Sequence, residues 1–334
     1  MSLFRLHLIR TVLAALVLVL IQRQVATAQT PSWSAPLGGY VFDPLQHTIR
    51  PISGFVGSAL LGAPVASGVE WVSLAPNQQS AILQKNRTQS WVPNLADSAQ
   101  TFSLPHLPSA RQAMWAADSS RAVLLTNAQI FWLTNFTSTP VAQTGWNLTG
   151  AASPARHGTA AIWTLLATDA TADKVLLGAE TAQGWQLWEA STTTAPVQVA
   201  VFARPVVAAF ASTSSAAFIA DVATNQVFRL TLGSTPPLTP LLSSATYVSH
   251  VSGIALSSDD ARLFLADPSA KAVHVLNASN GAFLQDLSTS DAVGSITPVA
   301  SGLFLLNSVS RSPQPFWFLD TSQPARVAFV PRGE

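Results

Sequence analysis

From Gly39 onward the chain alternates short apolar runs with Ser, Thr, Asp, Asn and Gly, and the runs recur in pairs. In Ser252 to Leu287, "RLFLAD" is followed by "AVHVL". The same pairing joins "GYVFD" to "TIRPI", "SAILQ" to "SWVP", "AVLLT" to "IFWL", "KVLLG" to "WQLW", "AAFIAD" to "QVFRL" and "GLFLLN" to "PFWFL". With Tyr40, Ile82, Val123, Leu176, Phe218, Phe264 and Phe304 taken as equivalent, the spacings are 42, 41, 53, 42, 46 and 40 residues. The pair is preceded by a further apolar run, as in "VEWVSLA", "QAMWAA" or "SGIALS", and usually followed by a weaker fourth, as in "APVQVAVF".

Strands rich in Val, Ile, Phe and Trp, cut by turn residues, predict an antiparallel meander rather than helices. Four strands in roughly 40–45 residues is the blade unit of a β-propeller. Seven such units nearly fill the 306 residues that follow residue 28. The fold expected is therefore all-β, a seven-bladed β-propeller of four-stranded antiparallel blades, occupying residues 29–334 as one domain. A lone four-stranded sheet exposes two apolar faces, and radial stacking buries both. Most of the ten Trp fall inside strands, where packing between blades is their expected role; Trp33 and Trp146 are read as lying outside strands. Ring closure has two solutions. "ARVAFVP" (Ala325 to Pro331) either forms the outer strand of the last blade or pairs into the first, whose own first strand otherwise comes from Trp33 to Leu37.

One unit carries a family resemblance. "IALSSDDARLFLAD" and "AVHVLNASNG" resemble the YVTN-type repeat of bacterial surface and exported propellers, a relative of WD40 and NHL repeats. The chain departs from that repeat in the Ser-Pro-Asp-Gly turn, at Leu265-Ala266-Asp267, and at Asn277 where the family has Asp. The resemblance implies the propeller fold and an exported protein; such propellers carry unrelated functions.

The N-terminus alters where the protein is expected to work. Arg5, His7 and Arg10 precede an apolar run from Thr11 to Ile21, and Ala26-Thr27-Ala28 offers an A-x-A cleavage site. This predicts a secretory signal peptide over 1–28 and a secreted or periplasmic protein. A membrane anchor needs roughly 20 apolar residues, more than this run supplies.

The full chain has 17 basic and 16 acidic residues, and loss of Arg5, Arg10 and Arg23 with the signal leaves a mature net charge of about −2. No general attraction to nucleic acid or anionic lipid is expected. There is no cysteine, which excludes disulfides, thiolate metal sites and a Cys nucleophile. Sequons at Asn86, Asn135, Asn147 and Asn277 read as turn residues first and glycosylation sites second.

No catalytic elbow, Walker loop, zinc-protease helix or dinucleotide motif occurs, and no cofactor or metal is expected. Asp43, Asp221 and Asp267 each follow a second strand and are expected to cap their own turns rather than hold a cation. His274 is expected to face water or a neighbouring blade. One recurrence stands out in a chain with only 10% charged residues: Glu70, Arg111, His157, Arg204 and His250 each fall where a new blade begins. Propeller topology gathers such positions around the mouth of the central channel, a ligand-binding place, with Arg111 and Arg204 as forked donors. Against this stands their reading as solvated loop residues.

Three functions compete. The favoured one is an exported binding or scaffold module engaging a protein, peptide or envelope component. The alternative is a channel-mouth enzyme, a lactonase-like hydrolase or isomerase. A third, a carbohydrate-binding propeller, requires Trp exposed in loops.

Overall fold

The structure is a computed structural model that describes residues 38–54, 58–97, 100–104, 109–152, 160–212, 216–232, 238–242, 248–300, 302–308, 315–322 and 324–332. Residues 1–37 lie outside the described residues, and with them the signal-peptide expectation and Trp33. The described residues contain seven four-stranded antiparallel sheets, each built from strands consecutive in sequence. We number them blades 1 to 7, spanning 39–67, 69–103, 112–147, 162–202, 206–242, 253–288 and 293–330. The seven-bladed propeller of four-stranded antiparallel blades expected from the repeat is the architecture observed.

Period-2 alternation explains how one strand serves two interfaces. In the second strand of blade 3, Ala122–Leu125, Val123 and Leu125 face blade 4 while Ala122 and Leu124 face blade 2. All four are buried. The consequence is seven apolar cores, one between each pair of neighbouring blades. The last closes the ring: Val41, Ile52 and Ala59 of blade 1 pack on Phe316, Phe318 and Val330 of blade 7.

The closure question is thereby answered. Arg326–Val330 pairs antiparallel with Phe316–Asp320 and is the outer strand of blade 7. In blade 1, Gly39–Asp43 pairs with Thr48–Ser53, and two short pieces, Leu60–Leu61 and Ala66–Ser67, both pair with Thr48–Ser53. Beyond the last strand, Arg332 reaches Asp43 at 2.5 Å and stacks 4.3 Å over the Phe316 ring, while Arg50 donates to its carbonyl at 2.9 Å. The two ends of the propeller are thus tied by a salt bridge whose carboxylate is fully buried.

Polar side chains also stitch blade to blade. The Trp132 indole donates to Ala172 O at 2.7 Å, Trp115 to Ser73 O at 3.2 Å, and Trp146 to Ser191 O at 2.7 Å. None of the nine described Trp is exposed. Trp146 lies in the outer strand Val141–Asn147, not in a loop, because its indole bridges to the next blade.

Candidate functional site

In each complete blade the chain runs from the innermost strand outward. The connection that starts a blade and the turn between its second and third strands therefore share one face, called here the mouth face. Glu70, Arg111, Arg204 and His250 all sit on it and all are exposed; His157 lies outside the described residues. No hydrogen bond or ion pair joins any two of the four. They share a face, but the geometry does not assemble them into one contacting cluster.

Glu70 is the best defined. It occupies a register shift between Val69 and Trp71 in the first strand of blade 2, which turns its side chain outward. Gln84 Nε2 donates to it at 2.5 Å and the Arg87 backbone N–H at 3.0 Å. These two donors hold its carboxyl below the usual range. Gln84 is a hub: its Oε1 accepts from the Trp71 indole at 2.9 Å and from Ser109 Oγ at 3.2 Å. Ser109 leads into blade 3 two residues before Arg111, so the network brings the Lys85–Arg87 turn and Arg111 to one edge between blades 2 and 3.

Arg111 uses its backbone N–H on Leu125 O at 2.7 Å, and its guanidinium has no partner among the described residues. Arg204 is likewise unpaired. His250 gives its backbone N–H to Asp267 Oδ2 at 3.0 Å, leaving its ring exposed. Blade 7 supplies an equivalent that sequence reading passed over: Asp291, two residues before Val293–Ala300, accepts the Trp317 indole N–H at 2.9 Å. Its signal was present, an ionisable residue at a blade start, but the turn "STSDAVG" hid the register.

The three strand-end aspartates cap turns, as expected. Asp43 Oδ1 accepts from the Leu45 N–H, Asp221 Oδ1 from Ala223, and Asp267 Oδ1 from Ser269 and Ala270. Asp267 also accepts at Oδ2 from the backbone and hydroxyl of Ser249. Burial works to raise its pKa, but the Ala270, His250 and Ser249 donors outweigh burial and hold it at about 2. His274 does not face water. It is 2% exposed, bonded through Nδ1 to Asp286 at 2.6 Å and through Nε2 to Asp267 at 3.4 Å. It faces the neighbouring blade instead: it stands opposite Leu265 and shares that face with Leu276, both packed in the core between blades 5 and 6, with Asp286 beside it on the outer strand.

Two clefts lie between blades 3 and 4. One, of about 380 Å³ on the mouth face, is lined by Asn127, Leu148, Trp163 and several alanines. The other, of about 560 Å³ on the opposite face, is polar, but its Arg121 and Asp173 are paired with each other at 2.5 Å. Among the described residues no group of three or more His, Asp or Glu is arranged to hold a metal ion. No helix among them is long and apolar enough to cross a membrane.

No family model and no curated protein sequence matches the chain. Solved structures do. A chain of the crystal structure of the mitotic checkpoint complex is 13% identical, with a TM-score of 0.52 over 77% of each chain. A functionally unknown protein from Desulfotomaculum acetoxidans DSM 771 is 11% identical, with a TM-score of 0.54 over 89% of this chain and 99% of its own. These likenesses are of fold alone.

Proposed function

We propose that the chain is an exported binding module that engages a protein, peptide or envelope component through its mouth face. The observation that carries the reading is the set of exposed ionisable side chains at successive blade starts, Glu70, Arg111, Arg204 and His250, in a chain otherwise poor in charge. Exposed charged groups presented by loops on a rigid ring are suited to recognition. The N-terminal pattern and the YVTN-type likeness support export and surface association.

Channel-mouth catalysis is less well supported. The one carboxylate among the four, Glu70, has its pKa lowered by the Gln84 and Arg87 donors. A general acid or base at neutral pH needs the opposite shift. Sugar stacking on Trp is disfavoured too, since every described Trp is at least partly buried.

The test is affinity capture from extracts of the source organism with the mature chain as bait. A folded variant carrying Ala at Glu70, Arg111, His157, Arg204 and His250 serves as control. A macromolecule retained by the natural chain and lost with the variant is the expected result. Retention of the same partner by both would move the site elsewhere, and capture of nothing by either would sink the binding-module reading.

A further inference from the structure

The net charge conceals an uneven division between the two faces. On the mouth face Lys85, Arg87, Arg111, Arg204 and Lys271 are exposed, and no hydrogen bond or ion pair among the described residues engages their side chains. The acids of that face are almost all in use. Asp43, Asp221 and Asp267 are buried in turn caps, Asp286 holds His274, Asp291 holds the Trp317 indole, and Glu70 is bound by Gln84 and Arg87. Glu180 is the exposed acid left without a partner among the described residues of the face.

On the opposite face the arginines are engaged. Arg121 is tied to Asp173, Arg326 to Asp320, and Arg262 to the Thr321 carbonyl. Asp97, Asp118 and Asp259 are exposed there, Asp118 accepting from Ser120 and Asp259 from Ser257 and Ala261. Exposed cations without a partner among the described residues are therefore gathered on the mouth face, whereas the arginines of the opposite face are paired.

We propose that the mouth face docks an acidic segment of a partner protein, its carboxylates received by Lys85, Arg87 and Arg111 where blades 2 and 3 meet. This rests on the binding-module reading above and names its partner chemistry. The guanidinium forks of Arg87 and Arg111 suit paired oxygens, and the Glu70–Gln84–Ser109 network fixes the loops that carry them. Carboxylates on a peptide fit better than a uniform polyanion. The chain has nearly equal numbers of bases and acids, so long-range pull on polyphosphate or an anionic membrane is weak. Glu70 and Glu180 also interrupt the cations, which favours discrete acidic side chains over a continuous charge.

The experiment is an anisotropy titration of a labelled oligoglutamate peptide with the purified chain at low and physiological salt. The natural chain is expected to bind and to weaken as salt rises. The triple variant Lys85→Glu, Arg87→Glu, Arg111→Glu should lose about tenfold or more in affinity, and Arg121→Glu on the opposite face should change it less than about twofold. Three results overturn the proposal: no binding of oligoglutamate, equal loss in the opposite-face variant, or tighter binding of sulfated polysaccharide or phosphatidylglycerol vesicles through the same residues. If the peptide fails while affinity capture still yields a partner lost with the mouth variant, the acidic-segment proposal falls and the binding module stands. If capture fails as well, both fall.

Discussion

At the residue scale, the aspartates that end second strands show how one side chain sets a turn and a blade junction together. Asp267 caps its own turn with one oxygen and fastens the connection entering its blade with the other. Its folded-state pKa of about 2 lies below the ordinary value of 3.8. The stabilisation it contributes is therefore present above about pH 4 and is lost as pH falls through about 2, amounting to roughly 2 kcal/mol. Asp267→Asn should lose about that much at pH 7 and converge with the natural protein near pH 2, measured by urea unfolding across that range. The sequon asparagines also act at this scale. Asn86 and Asn135 adopt positive φ of 50° and 68°, and Asn147 and Asn277 accept from the N–H groups of Thr149 and Ser279. Turn chemistry alone accounts for Asn at these positions.

At the element scale, what a strand buries is decided by the neighbouring blade. Gly253 opens the first strand of blade 6, where an added Cβ would lie 2.8 Å from the backbone nitrogen of Ile296 in blade 7. Gly253→Ala should cost about 1–3 kcal/mol through this overpacking, read as a lowered unfolding midpoint. The buried Trp132 crosses a junction by giving its indole N–H to Ala172 O. Trp132→Phe keeps most of the ring but leaves that carbonyl without its donor, an expected loss of about 1–2 kcal/mol by the same measurement. The apolar pattern made these strands legible. It carried no information on which junctions hold a tryptophan hydrogen bond, because the acceptor comes from a turn some 40 residues away.

At the scale of the whole molecule, the ring is held where its first and last blades meet. Arg332 joins blade 7 to the fully buried Asp43 of blade 1 and lies over Phe316. Removing the arginine strands a buried carboxylate whose Oδ2 already has no hydrogen-bond partner. Arg332→Ala should therefore destabilise by about 3 kcal/mol, and adding Asp43→Asn should restore part of it. An unfolding series on the two single variants and the double checks this. Equal losses in the single Arg332 variant and the double would mean the pair does not close the ring. The gathering of unpaired cations on the mouth face belongs to this scale too, since it follows from which arginines the opposite face engages.

The sequence by itself determined the class, the blade count and nearly all strand positions. Alternating runs at a near-constant spacing have only one economical burial, sheets stacked around an axis, and this follows from local pattern. It also showed that Asp43, Asp221 and Asp267 would cap turns, since the acceptor and its donors are neighbours in the chain. Only the tertiary structure decided the rest. Asp291 joined the blade-start series once register was known, and of the two surroundings open to His274, water or a neighbouring blade, the fold chose the junction with blade 5. Arg326–Val330 pairs with the strand just before it, but closure by Arg332 depended on Asp43, a contact separated by nearly the whole length of the chain. Which cations of the mouth face remain free is likewise a statement about partners, and partners distant in sequence are chosen by the fold.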